Sequence, residues 1–220
     1  MAALGFRGVY DRLYRHYGPQ GWWPARSPFE VMLGAVLTQN TAWSNVEKAL
    51  AGLENAELTS AGAIVDAPHD DLAAAIRPAG YFNVKARRLK ALCQAYLDRG
   101  GWAAMDRLET GTLREVLLRV HGVGRETADD IVLYAFNRPV FVVDAYTRRI
   151  FERLDLLEAG MGYEAVRARF EAALGPDAAV YNEYHALVVQ LGKSVCRPRP
   201  LCEHCCLNPI CPSARSRNAE

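Results

Sequence analysis

The sequence predicts an all-α protein. Segment after segment carries apolar residues at three- and four-residue spacing, and only Val140-Phe141-Val142-Val143 reads as an extended apolar run. A third sign is a strong helix start, Ser27-Pro28-Phe29-Glu30, a capping box with proline at the first helical position.

The elements follow in order. Residues 6–17 place Phe6, Val9, Leu13 and Tyr17 on one helical face, and Gly18-Pro19-Gln20-Gly21 breaks that helix. Trp22, Trp23 and Pro24 follow in an irregular segment. They either cap the core or form an aromatic wall for a planar ligand, where stacking on a base contributes roughly 1–3 kcal/mol. The helix begun at Pro28 carries Phe29, Met32, Leu33, Val36 and Leu37, a pattern so apolar that it belongs at the centre of the protein. Thr38-Gln39-Asn40-Thr41 ends it with hydrogen-bonding side chains.

Three short helices are expected over 43–76, then a turn at Arg77-Pro78-Ala79-Gly80. The next helix carries Lys85, Arg87, Arg88 and Lys90, which read as a solvated basic face, with Cys93 on its apolar side. One or two helices occupy 103–120. Residues 145–155 form a helix with an Ile150, Phe151, Leu154 stripe and Asp144 in N-cap position. Two more helices cover 163–174 and 179–195; their polar residues Tyr184, His185 and Gln190 receive no role.

Composition narrows the class. No apolar run approaches the roughly 20 residues needed to span a bilayer. The start, MAALGFRGVYDRLYRHYG, has charges and tyrosines where a signal peptide needs an apolar core. An intracellular, cytoplasmic protein without membrane contact is expected. Net charge is +1, so any polyanionic partner must be met by basic residues gathered on one face. Five of the six cysteines lie between 196 and 211, which favours a metal site over dispersed disulfides.

The chain is organised around Leu117 to Asp144. His121-Gly122-Val123-Gly124 interrupts two helical segments, and both glycines are free to take positive φ. Thr127, Ala128, Ile131, Val132 and Ala135 then restart a helix whose first N–H groups point out of the hairpin. Such a turn either joins two helices of a bundle or binds a phosphate through the helix dipole and exposed donors.

Cys196, Cys202, Cys205 and Cys211 form C-x5-C-x2-C-x5-C. Four thiolates so close together need a cation, and both tetrahedral zinc and a [4Fe–4S] cube satisfy four of them. The adjacent Cys206 competes with Cys205 as the third ligand.

A hairpin of the form G-V-G-x-x-T-A, an amphipathic helix, an apolar V-x-V-V segment and then Asp144 resembles the helix-hairpin-helix glycosylase superfamily, whose founding type is endonuclease III. The N-terminal GWWPxxxxFExxLGAVLTQNT is similar to its 3-methyladenine-specific branch, and the resemblance runs from Trp22 to Cys211. It implies two helical lobes with a DNA-binding cleft between them. Residues 1–24 and 139–220 would form an iron–sulfur lobe, and 25–138 a helical barrel lobe with the hairpin. The resemblance also selects a [4Fe–4S] cluster on the four cysteines, although the family spacing has one more residue in the first gap. In that family the cluster is mainly structural, placing Arg197 and Arg199 against phosphates.

The implied activity is excision of a damaged base from double-stranded DNA by a monomer, at the bacterial nucleoid. Asp144 would be the catalytic carboxylate. Gly122, Val123, Gly124, Arg125 and Thr127 would hold backbone phosphate, and Gln39 would fill the gap left by the extruded nucleotide. Trp22, Trp23 and Pro24 would line the base pocket, with Lys193 nearby. Glu126 occupies the position of the catalytic lysine of lyase-active members, and a carboxylate cannot form a Schiff base. The expectation is therefore a monofunctional enzyme acting on alkylated purines, with Glu126 and Asp144 raising at least one of each other's pKa values. An oxidised-pyrimidine glycosylase with lyase activity and a catalytically weak DNA-binding paralogue are the alternatives.

Overall fold

The computed structural model describes residues 5–217, and among them no strand forms. The chain divides into two compact units. One comprises the chain up to Pro24 together with Pro139 onward; the other is Ala25–Arg138.

The first unit opens with α1 (Phe6–Tyr17), which buries Val9 and Leu13 and ends at Gly18 with φ +71°. Residues 18–24 are irregular, and Trp22 and Trp23 stand half-buried with ring centroids 5.2 Å apart.

The second unit begins at α2 (Pro28–Leu37). Ser27 accepts the Glu30 N–H at 3.2 Å, as the capping box predicts. Glu30 reaches back to the N–H of Arg26 rather than that of Ser27, so the box is closed one residue early. Every residue from Val31 to Leu37 is buried, which makes α2 the central helix of this unit. Three helices follow as expected: α3 (Trp43–Asn55), α4 (Ala61–Asp66) and α5 (His69–Ala75). After a 3-10 turn over Arg77–Ala79 come α6 (Phe82–Asp98), α7 (Gly101–Met105) and α8 (Thr110–Leu118).

The basic face expected on α6 is largely turned inward. Lys85 is 1% exposed, and its ammonium donates to Leu37 O at 2.7 Å, Ala79 O at 2.8 Å and the Thr41 hydroxyl at 2.5 Å. Lys90 donates to the carbonyls of Val65 and Ala67. Carbonyls at helix ends lack intrahelical donors, and a long cationic side chain can supply them from a neighbouring helix. Cys93 is fully buried, and burial pushes its thiol up to about 12.

Beyond the hairpin, α9 (Arg125–Asp130) runs into a π-helical turn over Ile131–Ala135. The single helix expected there therefore changes register midway. Asp129, fully buried on α9, pairs with Arg114 of α8 at 2.5 Å and braces the two arms of the hairpin.

The chain then re-enters the first unit through α10 (Ala145–Arg153), α11 (Tyr163–Leu174), α12 (Ala178–Ser194) and α13 (Pro212–Arg217). Phe170 sits at the middle of an aromatic core, stacked on Phe141 at 4.1 Å and edge-on to Phe6 and Phe151 at 4.6 Å. Tyr184 of α12 donates its hydroxyl to Phe6 O at 2.6 Å, tying the N-terminal helix to the C-terminal ones. Such rings supply a large buried area with defined geometry. Among the described residues no helix is long and apolar enough to cross a membrane.

Candidate functional site

In the second unit, the hairpin and the loop after α2 meet. Gly122 has φ +85°, and a β-carbon there would overlap the Arg88 side chain. Gly124 departs from the expectation: its φ of −87° and ψ of −178° are extended, a conformation open to any residue. It serves instead as the N-cap of α9, where no side chain caps the helix. Val123 is buried and fixes the turn, while Arg125 and Glu126 are exposed. Gln39 folds onto this hairpin. Its amide donates to Gly122 O at 3.0 Å and to the Thr127 hydroxyl at 2.9 Å, and its carbonyl accepts from Arg88.

One exposed residue nearby escaped the sequence reading. Tyr81 is 74% exposed, with φ +46°, at the N-cap of α6. Left-handed backbone is uncommon for a bulky residue and marks a constrained position. The constraint comes from its neighbours, since Lys85 and Thr41 both bond Ala79 O two residues earlier. The only available signal was an aromatic residue just after a Pro-Ala-Gly turn.

In the first unit, Asp144 caps α10. Its Oδ1 accepts the Thr147 N–H at 2.7 Å, and its Oδ2 lies 3.6 Å from Nε2 of His185 on α12. Asp144 is 9% exposed and His185 6%. Burial alone would raise the carboxyl pKa, but His185 and the Thr147 bonds outweigh it and hold Asp144 below the ordinary carboxylate value. Of the Glu126–Asp144 pair, in which at least one pKa is expected to rise, Asp144 is held low instead. His185, given no role from sequence, is the side chain responsible. An imidazole within the otherwise apolar face of Tyr184, Leu187, Val188 and Leu191 was the available sign.

The C-terminal loop surrounds a small cavity lined by Cys196, Cys202, Cys205 and Cys211. Cys206 is not among its lining residues, which favours Cys205 as the third member of the set. Burial, and the neighbouring thiols, push Cys205 up to about 11. Among the described residues no group of three or more His, Cys, Asp or Glu side chains is placed to hold a metal ion. The cysteines instead surround a space. Arg153 of α10 lines it too, donating to Cys196 Sγ at 3.2 Å and to the carbonyls of Arg197 and Pro198 at 2.8 and 2.9 Å. Arg149 adds bonds to Cys196 O and Gly192 O, both at 2.9 Å. The helix that Asp144 caps therefore also holds the cysteine loop. Lys193, Arg197 and Arg199 are exposed, as is Pro24.

Comparison with known proteins fits this arrangement. Residues 33–176 match the model of the HhH-GPD superfamily base excision DNA repair protein. The chain belongs to that superfamily. A Methanocaldococcus jannaschii protein named as a candidate DNA repair glycosylase is 43% identical over 207 residues, covering 92% of this chain and 94% of its own. Endonuclease III of Thermotoga maritima is 30% identical over 191 residues, covering 86% and 85%. Among solved structures, Helicobacter pylori 3-methyladenine DNA glycosylase bound to 1,N6-ethenoadenine superposes with a TM-score of 0.75 at 30% identity, over 86% of this chain and 98% of that one. An endonuclease III–DNA complex gives 0.84 at 23% identity over 97% of both chains and supports the shared all-α fold. As an HhH-GPD protein of the endonuclease III family, the chain is a DNA glycosylase of base excision repair.

Proposed function

We propose that this protein is a monofunctional glycosylase that removes alkylated purines from double-stranded DNA, acting as a monomer. A glycosidic bond inside a duplex is out of reach of a side chain, so the nucleotide must be extruded. This costs a few kcal/mol and is cheapest at a damaged base. In this reading the hairpin residues Gly122, Val123, Gly124, Arg125 and Thr127 hold backbone phosphate. Gln39 fills the vacated position, with Tyr81 as a second group able to stack there. Trp22, Trp23 and Pro24, with Lys193, receive the base.

The observation that carries the reading is Asp144, a nearly buried carboxylate kept ionised by His185 and Thr147. An ionised carboxylate stabilises an oxocarbenium-like sugar and orients or deprotonates water, as in other glycoside hydrolyses. A base that is already cationic leaves readily and gains roughly 0.5–2 kcal/mol from cation–π contact with indole rings. Glu126 in place of the lysine supports base release without strand cutting. The likeness to the 3-methyladenine glycosylase supports the same substrate class.

The chain from 1–24 and 139–220 is read as the iron–sulfur lobe. Four thiols around one cavity suit a [4Fe–4S] cluster held by Cys196, Cys202, Cys205 and Cys211. Its contribution is structural, cross-linking the loop that displays Arg197 and Arg199. A panel of duplexes carrying alkylated, oxidised or mismatched bases tests the function. Release of alkylated purines, with no strand cleavage and no borohydride-trapped adduct, is expected. A trapped adduct would instead favour a lyase-active enzyme, and no release from any duplex a binding module.

A further inference from the structure

Gln39 has all three of its side-chain hydrogen-bonding groups occupied inside the second unit. A primary amide offers two N–H donors and a carbonyl acceptor. Both donors are engaged, by Gly122 O at 3.0 Å and the Thr127 hydroxyl at 2.9 Å, and Arg88 donates to the carbonyl. Arg88 reaches this position across Gly122, where any β-carbon would overlap its side chain. Its Nε is buried there with no hydrogen-bond acceptor. A buried guanidinium N–H left without an acceptor is costly. The contact to Gln39 gives another N–H of the same guanidinium an acceptor.

A side chain tied in this way must exchange all three bonds before it can enter a base stack. We propose that Gln39 is latched to the hairpin in the DNA-free protein, with Arg88 and Thr127 as the residues that position it, and that engagement of DNA releases it. The proposal rests on the gap-filling reading of Gln39 given above. The latch sits on the segment read as the phosphate grip, so the element that meets the DNA backbone also controls the residue that follows it into the duplex. Gly122 thereby has a second use besides turning the chain: it makes room for the arginine that closes the latch.

Arg88→Met and Thr127→Val each remove one keeper bond and leave Gln39 in place. Thr127 is 5% exposed, so its loss removes no surface group. The probe is a duplex with a tetrahydrofuran abasic analogue and 2-aminopurine opposite it, compared with the same duplex lacking the gap. The ratio of the two Kd values cancels general attraction to phosphate, and 2-aminopurine fluorescence reports entry into the gap. Both variants should increase the preference for the gapped duplex, Thr127→Val about fivefold, the net worth of one neutral hydrogen bond, and Arg88→Met by more, because its bond is charge-assisted, each with a larger fluorescence change. Gln39→Ala should abolish the preference. If the two variants lose the preference as Gln39→Ala does, the tie is a permanent strut and the latch is refuted. If Gln39→Ala keeps the full preference, the gap-filling reading itself fails, and the latch with it.

Discussion

Asp144 has a different partner on each carboxylate oxygen: the Thr147 N–H at 2.7 Å on Oδ1 and His185 Nε2 at 3.6 Å on Oδ2. The first is local, set by the N-cap of α10, and the second comes from α12, forty-one positions along the chain. Rotation of the carboxylate would break both contacts, so its orientation is fixed from two directions.

His185→Phe therefore tests what keeps Asp144 ionised. Burial, the largest influence, raises the carboxyl pKa, and His185 is the strongest influence opposing it. Without the imidazole the acid limb of the rate profile should move to higher pH. The sign is that of a depressed carboxylate: its stabilisation is complete above the unfolded value of about 3.9 and is lost as pH falls through the folded value. The measurement is single-turnover excision from pH 4 to 8. An acid limb entering this range only in the variant is expected, and no limb within it for either protein would show that His185 does not tune Asp144.

Cys205 and Cys206 are adjacent yet differ in their relation to the cavity, which only Cys205 lines. Cys206→Ser should leave the absorption near about 400 nm expected of a [4Fe–4S] protein. Cys205→Ser should lose most of it and lower the melting temperature. Equal retention of iron and sulfide by both variants, measured chemically, would show that the thiol at 205 is not a ligand.

Lys85 predicts an unusual pH dependence of stability. Burial, then the Arg88 charge, lowers its pKa to about 8. A lysine depressed in the folded state is harder to protonate there than in the unfolded chain. Its cost is full below pH 8 and is relieved as pH rises from about 8 toward about 10.4. The difference in melting temperature between the wild type and Lys85→Met should therefore change across that window, with the wild type gaining relative to the variant. A constant difference would mean that the ammonium is not desolvated.

Helices, their order and several of their ends were legible because periodicity and capping are local. The Ser27 cap, the short helices over 43–76 and the break at Gly18 all follow from neighbours in sequence. The fates of Lys85, Gln39 and His185 were not legible. Each is decided by a partner far along the chain: Leu37 for the lysine, Gly122 for the glutamine and Asp144 for the histidine. A cation on a helix usually faces water, and nothing local in Lys85-Ala86-Arg87-Arg88-Leu89-Lys90 indicates that helix-end carbonyls will take both of its lysines. The extended backbone at Gly124 was hidden for a related reason. A glycine permits positive φ but does not require it.

The central claim, that Asp144 performs the chemistry, is tested most directly by Asp144→Asn in single-turnover excision from a duplex containing 1,N6-ethenoadenine or a methylated purine. The amide keeps the size and the cap to Thr147 but removes the charge. Excision should fall by about 10² or more, the scale of a lost positioned acid–base group, while the Kd for the same duplex changes by less than about threefold. Excision at the wild-type rate by Asp144→Asn would contradict the account.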